Sequence, residues 1–431
     1  METLVLATFL TLFVLARAVE WGLLLLEARR VSRSTGPPPA LAGAVDGPRA
    51  ARTRDYALAR ARLALAHGAF SAGFTLALLL SGALPLLDGA LGSLGLAGAH
   101  RFTAFLVALA ILGSAVELPF GLLSTFGVEA RFGFNRTTPA LWLRDRLQGL
   151  ALSAAIGLPL LYAAHAFFDR AGPSWWLWLF GFLVLVQLLL AWAVPALIAP
   201  LFNRYTPLPE GPLRTRLEAL CRDTGFRTRG LFVVDGSRRS GHSNAYFTGL
   251  WRPRIVLYDT LVAQSPPEEL AAVLAHEIGH YLRRHVWKGL LLAFAGQALS
   301  LWLLSGLAAW PPAFRAFGFA GPSFHAALAL AGLAGGAFTF WLGPIAAWLS
   351  RRHEREADRF AAREAGLGPA LGAALLRLAA ENLSVPDPHP WYAAWHHGHP
   401  TLAERLTALG AQARPYPRSG APCDRMPLPG A

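Results

Sequence analysis

The sequence predicts an all-α multispan membrane protein of about seven transmembrane helices that also carries a cytoplasmic α+β domain. Three observations lead there. The 431 residues are 54% hydrophobic and only 15% charged, with a mean hydropathy of +0.39, whereas soluble domains carry about 25% charged residues. Seven apolar runs are each long enough to cross a bilayer. After the fifth run, and again after the seventh, the composition turns to that of a soluble domain.

Residues 3–26 form the first run. Ala16-Arg17-Ala18 resembles a signal-peptide cleavage site, but the head carries Glu2 and no basic residue, and the run continues to Leu26, so an uncleaved span is expected. Arg17 and Glu20 inside it are costly in lipid and should face a polar interior or each other. Residues 27–62 carry Arg29, Arg30, Arg33, Arg49, Arg52, Arg54, Arg60 and Arg62 against Glu27, Asp46 and Asp55, which predicts a cytoplasmic loop with a flexible Gly- and Pro-rich middle. Further runs follow at about 64–87, 103–126, 147–168 and 175–201. The loop near Asp88–Arg101 is poor in charge and the one near Arg131–Arg146 is basic, so alternation puts the end of the fifth span in the cytoplasm. Runs at 286–310 and 324–349 complete seven spans, with the N-terminus outside and the C-terminus inside. The expected organisation is a five-span membrane domain (1–201), a first soluble segment (202–285), two further spans (286–350), a second soluble segment (351–415) and a Pro-rich tail (416–431).

The net charge of +13 comes from arginines clustered between apolar runs, as membrane orientation requires. No zinc-finger spacing, arginine-rich tail or aromatic single-strand platform is present, so no nucleic-acid partner is expected. The two cysteines, Cys221 and Cys423, match no metal or redox spacing. Cys221 shares a helical stripe with Leu213, Leu217 and Leu220 and reads as a small core residue.

In the soluble stretch, Gly211–Gly225 reads as an amphipathic helix closed by a glycine. Residues 231–234, 245–248 and 255–258 are strand-like, the last two joined as a hairpin through Gly249–Pro253. An edge strand can hold an extended peptide by main-chain hydrogen bonds. Asn244, Ala245, Tyr246 and Phe247 are the candidates, with a purely structural hairpin as the alternative.

Next comes His276-Glu277-Ile278-Gly279-His280, the HExxH pattern of zinc peptidases. Ser265 with Glu268 reads as a capping box, with Pro266 at the first helical position. On a helix, residues four apart share a face, so both imidazoles can reach one zinc ion. Glu277, about 100° away, is free to hold the proton of a zinc-bound water. Catalytic zinc usually has three protein ligands. Beyond the seventh run, Glu354 and Asp358 share a helix face while Glu356 points nearly opposite. Glu354 is assigned as third ligand and Asp358 as acceptor from a ligating imidazole; His353 is a rival ligand that points off that face. Farther on, His396, His397 and His399 cluster before Pro400, with Arg405 one turn later. They form either a surface loop or a source of a transition-state donor, with Pro400 at a helix start.

At this point the chain resembles the integral-membrane CAAX prenyl proteases of the zinc metallopeptidase class. The resemblance rests on Phe132-Gly-Phe-Asn-Arg136, Phe202–Gly211, Ser243–Phe247 and HEIGH at 276–280. It extends to Ser350-Arg351 with Glu354 and Asp358, and to His399-Pro400 with Glu404-Arg405. It implies that His276, His280 and Glu354 bind one zinc ion and that Glu277 is the base. Asn244 and the strand after it would hold the substrate, and His399 and Arg405 would line the site, with His399 stabilising the oxyanion. It also implies seven spans around a water-filled chamber capped by a zincin-like metalloprotease domain, which would account for His67, Glu117 and His165 within spans. The implied partners are a peptide or protein substrate, prenylated or not, and the lipid bilayer.

Arginine stands where lysine is more usual at Arg136 and Arg204, and Cys423 is not fourth from the end. An Ala-, Leu- and Arg-rich chain with Lys288 as its one lysine suggests a high-GC, bacterial genome. The membrane would then be the cell inner membrane, or the endoplasmic reticulum if the source is eukaryotic. An HtpX-like quality-control peptidase shares the chemistry but is shorter, with fewer spans. A transporter or receptor would hold its zinc in a closed structural site. An intramembrane serine protease lacks support because no GxSxG occurs, and Glu268-Glu269 lacks the context of a glutamate-dependent prenyl protease.

Overall fold

The computed structural model describes residues 1–34, 36, 46–249 and 253–410. The expected tail at 416–431, with Cys423, and the tip of the hairpin loop lie outside the described residues. Among those described, seven helices are long and apolar enough to cross a membrane: Glu2–Arg33, Gly47–Leu80, Gly98–Glu129, Pro139–Arg170, Gly172–Phe202, His285–Ala308 and Phe324–Glu364.

Two boundaries differ from the sequence expectation. The arginine-rich stretch is largely helical: the first helix runs on to Arg33 and the second begins at Gly47, where the Asp46 side chain accepts from the Arg49 amide. Arginine and alanine are good helix formers, so charge in the described parts of the stretch marks the side of the membrane and not the absence of structure; most of its expected Gly- and Pro-rich middle lies outside the described residues. The apolar run at 64–87 is broken after Leu80 by Gly82 at φ 78°, and Ala83–Ser93 forms a separate short helix. Arg17 and Glu20 pair with each other.

The ends of the spans separate into two sides. Asp88 takes bonds from Arg101 (2.7 Å) and His325 (2.9 Å), and Glu2 pairs with Arg315. At the other end the basic segments grip the soluble part: Arg49 bonds Glu381 at 2.8 Å, Arg30 bonds Asp387, and Arg239 forms a two-bond pair with Asp145. Phe132 and Phe134 pack on Tyr56, and Phe134 stacks on His242, 4.0 Å between ring centres. Along their most apolar 18-residue windows the third, fourth and fifth spans bury no residue. A helix in a solid bundle would bury a stripe, and these three spans bury none along those windows. Exposed polar pairs join residues of different spans, His67 with Glu117 at 2.8 Å and Gln187 with Gln297 at 3.0 Å.

The soluble part is built on a four-stranded sheet of β1 (Tyr205–Pro207), β2 (Leu231–Val234), β3 (Ala245–Thr248) and β4 (Arg254–Tyr258), in the order β1-β2-β4-β3. β2 and β4 are parallel, and the outer pairs are antiparallel. β1, three residues ending in proline, carries no strand pattern of its own and was not expected. Helices Pro212–Asp223 and Pro267–Leu282 close over a core of Leu217, Leu220, Ile255, Leu257, Leu274 and Ile278. Cys221 is buried in that core, and burial pushes its thiol up to about 11. The seventh span continues through Gly343–Arg359 without a break, so the boundary expected at 350/351 falls inside a helix.

Candidate active site

The HExxH helix starts one residue later than expected. Pro267 takes its first position, and the Ser265–Glu268 box does not form. The reason is a stronger partner: the Glu268 carboxylate accepts two bonds from Arg216, at 2.7 and 3.1 Å. Gly279 has a packing task. A Cβ there would lie 3.0 Å from the Phe360 Cβ and 3.1 Å from the Ala357 Cα, so only glycine lets this helix reach Gly343–Arg359 so closely.

That approach brings His276, His280 and Glu354 together. The Nε2 atoms of the two histidines are 3.2 Å apart, and they lie 3.4 and 3.2 Å from the Glu354 carboxylate oxygens. Ligand atoms about 2.0–2.1 Å from a tetrahedral zinc ion would be about 3.3 Å from one another, so this triangle has the size of one face of that tetrahedron. His276 and Glu354 are buried, and Glu354 Oε2 has no hydrogen bond of good geometry there. The donor set and its spacing fit a zinc ion.

Asp358 faces the same way as Glu354. Its Oδ1 lies 2.8 Å from His276 Nδ1, and its two oxygens accept from Arg405 at 2.6 and 2.9 Å. All three side chains are buried. Burial opposes protonation of His276, but the carboxylates of Asp358 and Glu354 outweigh it and raise the imidazole to about 9. Burial also holds the Glu277 carboxyl above its usual range, with His276 and His280 pulling it back. A carboxylate poised in that way can hold a proton briefly.

His399 is exposed, with Nδ1 2.8 Å from Glu354 Oε2. Its loop is fixed from below. Arg351 donates to the carbonyls of Ala393 (3.1 Å), Ala394 (3.4 Å) and His397 (2.8 Å), and a Cβ on Gly398 would sit 2.9 Å from Ser350 Oγ. The helix carrying Arg405 starts at Leu402, capped by Thr401 in a reciprocal box with Glu404, so Pro400 precedes the helix and does not open it.

β3 is an edge strand, with Asn244 exposed just before it. The side chains of the strand are committed to the domain: Phe247 packs on Phe226, and the hydroxyls of Tyr246 and Tyr205 are 3.2 Å apart. The Tyr258 amide donates to the Asn244 carbonyl, so in this register Tyr246 pairs with Val256 and the main chains of Ala245 and Phe247 face outward, toward an extended partner. His353 is not among the clustered ligands and stacks instead on His285, 4.1 Å between ring centres. Sequence reasoning missed His285, Glu356 and the task of Arg351. The place of Ser350-Arg351 in one motif with Glu354 and Asp358 was the one available signal for the last.

Residues 27–204 match the family described as CAAX prenyl protease N-terminal, five membrane helices, and residues 207–413 match peptidase family M48. The chain is 36% identical over 403 residues to the CAAX prenyl protease 1 homolog of Oryza sativa subsp. japonica, covering 89% of this chain and 92% of that one. It is 38% identical over 325 residues to CAAX prenyl protease 1 of Saccharomyces cerevisiae, covering 71% of each. The crystal structure of S. mikatae Ste24p matches with a TM-score of 0.84 at 31% identity, over 95% of this chain and 98% of that chain. These relatives are eukaryotic and lend the bacterial reading of the composition no support. Six sequence motifs, seven apolar helices long enough to span and a peptidase domain carrying HExxH thus agree with matches over nearly the whole length: the chain belongs to peptidase family M48, in its CAAX prenyl protease branch, and is a membrane metalloendopeptidase.

Proposed function

We propose that the protein is a zinc endopeptidase that cuts CAAX-type prenylated proteins or peptides near their C-terminus, with its catalytic face in the cytoplasm. The carrying observation is the cluster of His276, His280 and Glu354, spaced for one zinc ion, its two histidines on a helix that packs against β3. Zinc held there supplies Lewis-acid polarisation of a carbonyl and acidification of a water. The chain's own residues do the rest. Asp358, backed by Arg405, keeps His276 in the tautomer that presents Nε2 to the metal. The Glu277 carboxylate takes the proton from the attacking water and returns it to the leaving amine. His399 donates to the oxyanion. The main chain of Ala245 and Phe247 pairs with the extended peptide, and Asn244 bonds its backbone. The exposed apolar side chains of the spans give an isoprenyl chain its surface.

Discrimination follows from burial, since each buried methylene-sized unit of a farnesyl group contributes about 0.8 kcal/mol. A farnesylated peptide should therefore be cut with a much lower KM than its bare twin, by detergent-purified enzyme carrying one zinc per chain. Equal kcat/KM for the two, with ready cutting of a misfolded multispan protein, would instead support a quality-control peptidase. Orientation rests on the arginines gripping the soluble part. With Cys423 changed to Ser, Glu210→Cys and Leu94→Cys should label from opposite sides with an impermeant thiol reagent, the first from the cytoplasm. Labelling of both from one side refutes the seven-span sidedness.

A further inference from the structure

We propose that His285 and Glu356 form a positioning relay for His280; this rests on the zinc site proposed above. His280 Nε2 faces His276 and Glu354, so its Nδ1 faces away, 3.0 Å from Nδ1 of His285. Two ring nitrogens this close share one proton. A neutral imidazole that offers Nε2 to a metal carries its proton on Nδ1, so His280 donates and His285 Nδ1 accepts. The proton of His285 is then on Nε2, which lies 3.0 Å from Glu356 Oε2 and donates to it. The other Glu356 oxygen accepts from Arg352 at 3.3 Å. His353 lies flat on the His285 ring at 13°, and His285 is buried, so the relay has one orientation.

The backbone is shaped for this contact. In an unbroken helix His285, five residues after His280, would lie about 140° around the axis from it. The HExxH helix instead ends at Leu282, and Arg284 takes φ 58°, an αL conformation that residues with a Cβ rarely adopt. That turn starts the sixth span at His285 and swings its imidazole back against His280. The two histidines of the motif are thus held alike from opposite sides of one helix. Asp358 with Arg405 supports His276 directly, and Glu356, on the other face, supports His280 through His285.

The test uses the full chain in detergent, reading zinc affinity by competition with a chromophoric chelator and ligand geometry by the visible spectrum of the Co²⁺-substituted protein. Glu356→Ala and His285→Phe should each weaken zinc about 10–100-fold, the range for loss of a partner behind a ligating imidazole, and shift the Co²⁺ spectrum. Glu356→Gln should retain most of the affinity, because its amide oxygen still accepts from His285 Nε2. The double variant His285→Phe/Glu356→Ala should be no worse than His285→Phe alone. Wild-type affinity and spectrum in Glu356→Ala would overturn the relay, as would additive losses in the double variant. If His285→Phe fails to fold, the comparison of Glu356→Ala with Glu356→Gln still decides. Failure of the wild-type chain to bind one zinc would sink the proposed metal site itself, a separate outcome.

Discussion

Gly279→Ala puts the geometry of the metal centre to a direct test. The added Cβ would sit 3.0 Å from the Phe360 Cβ, 3.1 Å from the Ala357 Cα and 3.2 Å from the Ala357 carbonyl oxygen. Unstrained carbon contacts lie at about 3.5–4.0 Å, so the two helices must part by roughly 0.5–1 Å. Overpacking of this kind costs about 1–3 kcal/mol, offset by about 1 kcal/mol because alanine is the better helix former. Net destabilisation should be about 0–2 kcal/mol, and the protein should remain folded. Metal binding has less tolerance, since ligand distances must hold to about 0.2 Å. Parting the helices carries both histidines away from Glu354, and zinc affinity should fall about 10–100-fold, as when a ligand loses its support. Gly289→Ala is the control, because nothing lies within 4 Å of a Cβ there. Chelator competition and thermal unfolding on both variants give the answer. Equal zinc affinity in the two would refute the idea that close helix approach at Gly279 sets the ligand triangle.

Glu277→Gln should keep one zinc per chain and lose about 10²–10⁴-fold in kcat, the share of a general base; loss of zinc as well would mean that the residue is a ligand. His399→Ala should lower kcat about 10²–10³-fold with little change in KM, as for an oxyanion donor, and a change confined to KM would argue for a substrate contact instead. Arg405→Met, which strands the buried Asp358 charge, should cost about 3–5 kcal/mol in thermal unfolding. Asp358→Asn/Arg405→Met should cost less than the sum of the single changes; strict additivity would mean that the pair does not act as a unit. Cys221, alone after Cys423→Ser, should resist alkylation in the folded protein at pH 8. Because burial raises its thiol to about 11, the stability linked to this group is intact below pH ~9 and lost as pH rises toward 11. Cys221→Ala should remove that alkaline loss, and fast labelling at pH 8 would contradict the burial.

Much of this protein was written in consecutive residues. A span is a count of apolar side chains, a helix face is a spacing of three or four, and a strand is an alternation, so each is fixed by its neighbours along the chain. For that reason the seven spans, the HExxH helix, three of the four strands and the shared face of Glu354 and Asp358 could be read directly. Local signals failed where a distant partner outbid them. The Ser265–Glu268 box gave way to Arg216, and β1 exists because β2 lies beside it. The two ends of the arginine-rich segment, up to Arg33 and from Gly47, are helical although their charge read as a loop. Tertiary structure alone decided what meets across the chain: Gly279 against Ala357, Arg351 beneath the His399 loop, and His285 turned back onto His280 by the kink at Arg284. Glu356 makes the division plain. Its spacing correctly turned it away from Glu354, but what waits on that other face is the first residue of the sixth span, 71 positions earlier in the chain. Periodicity gives the direction of a side chain, and only packing supplies the partner it points to.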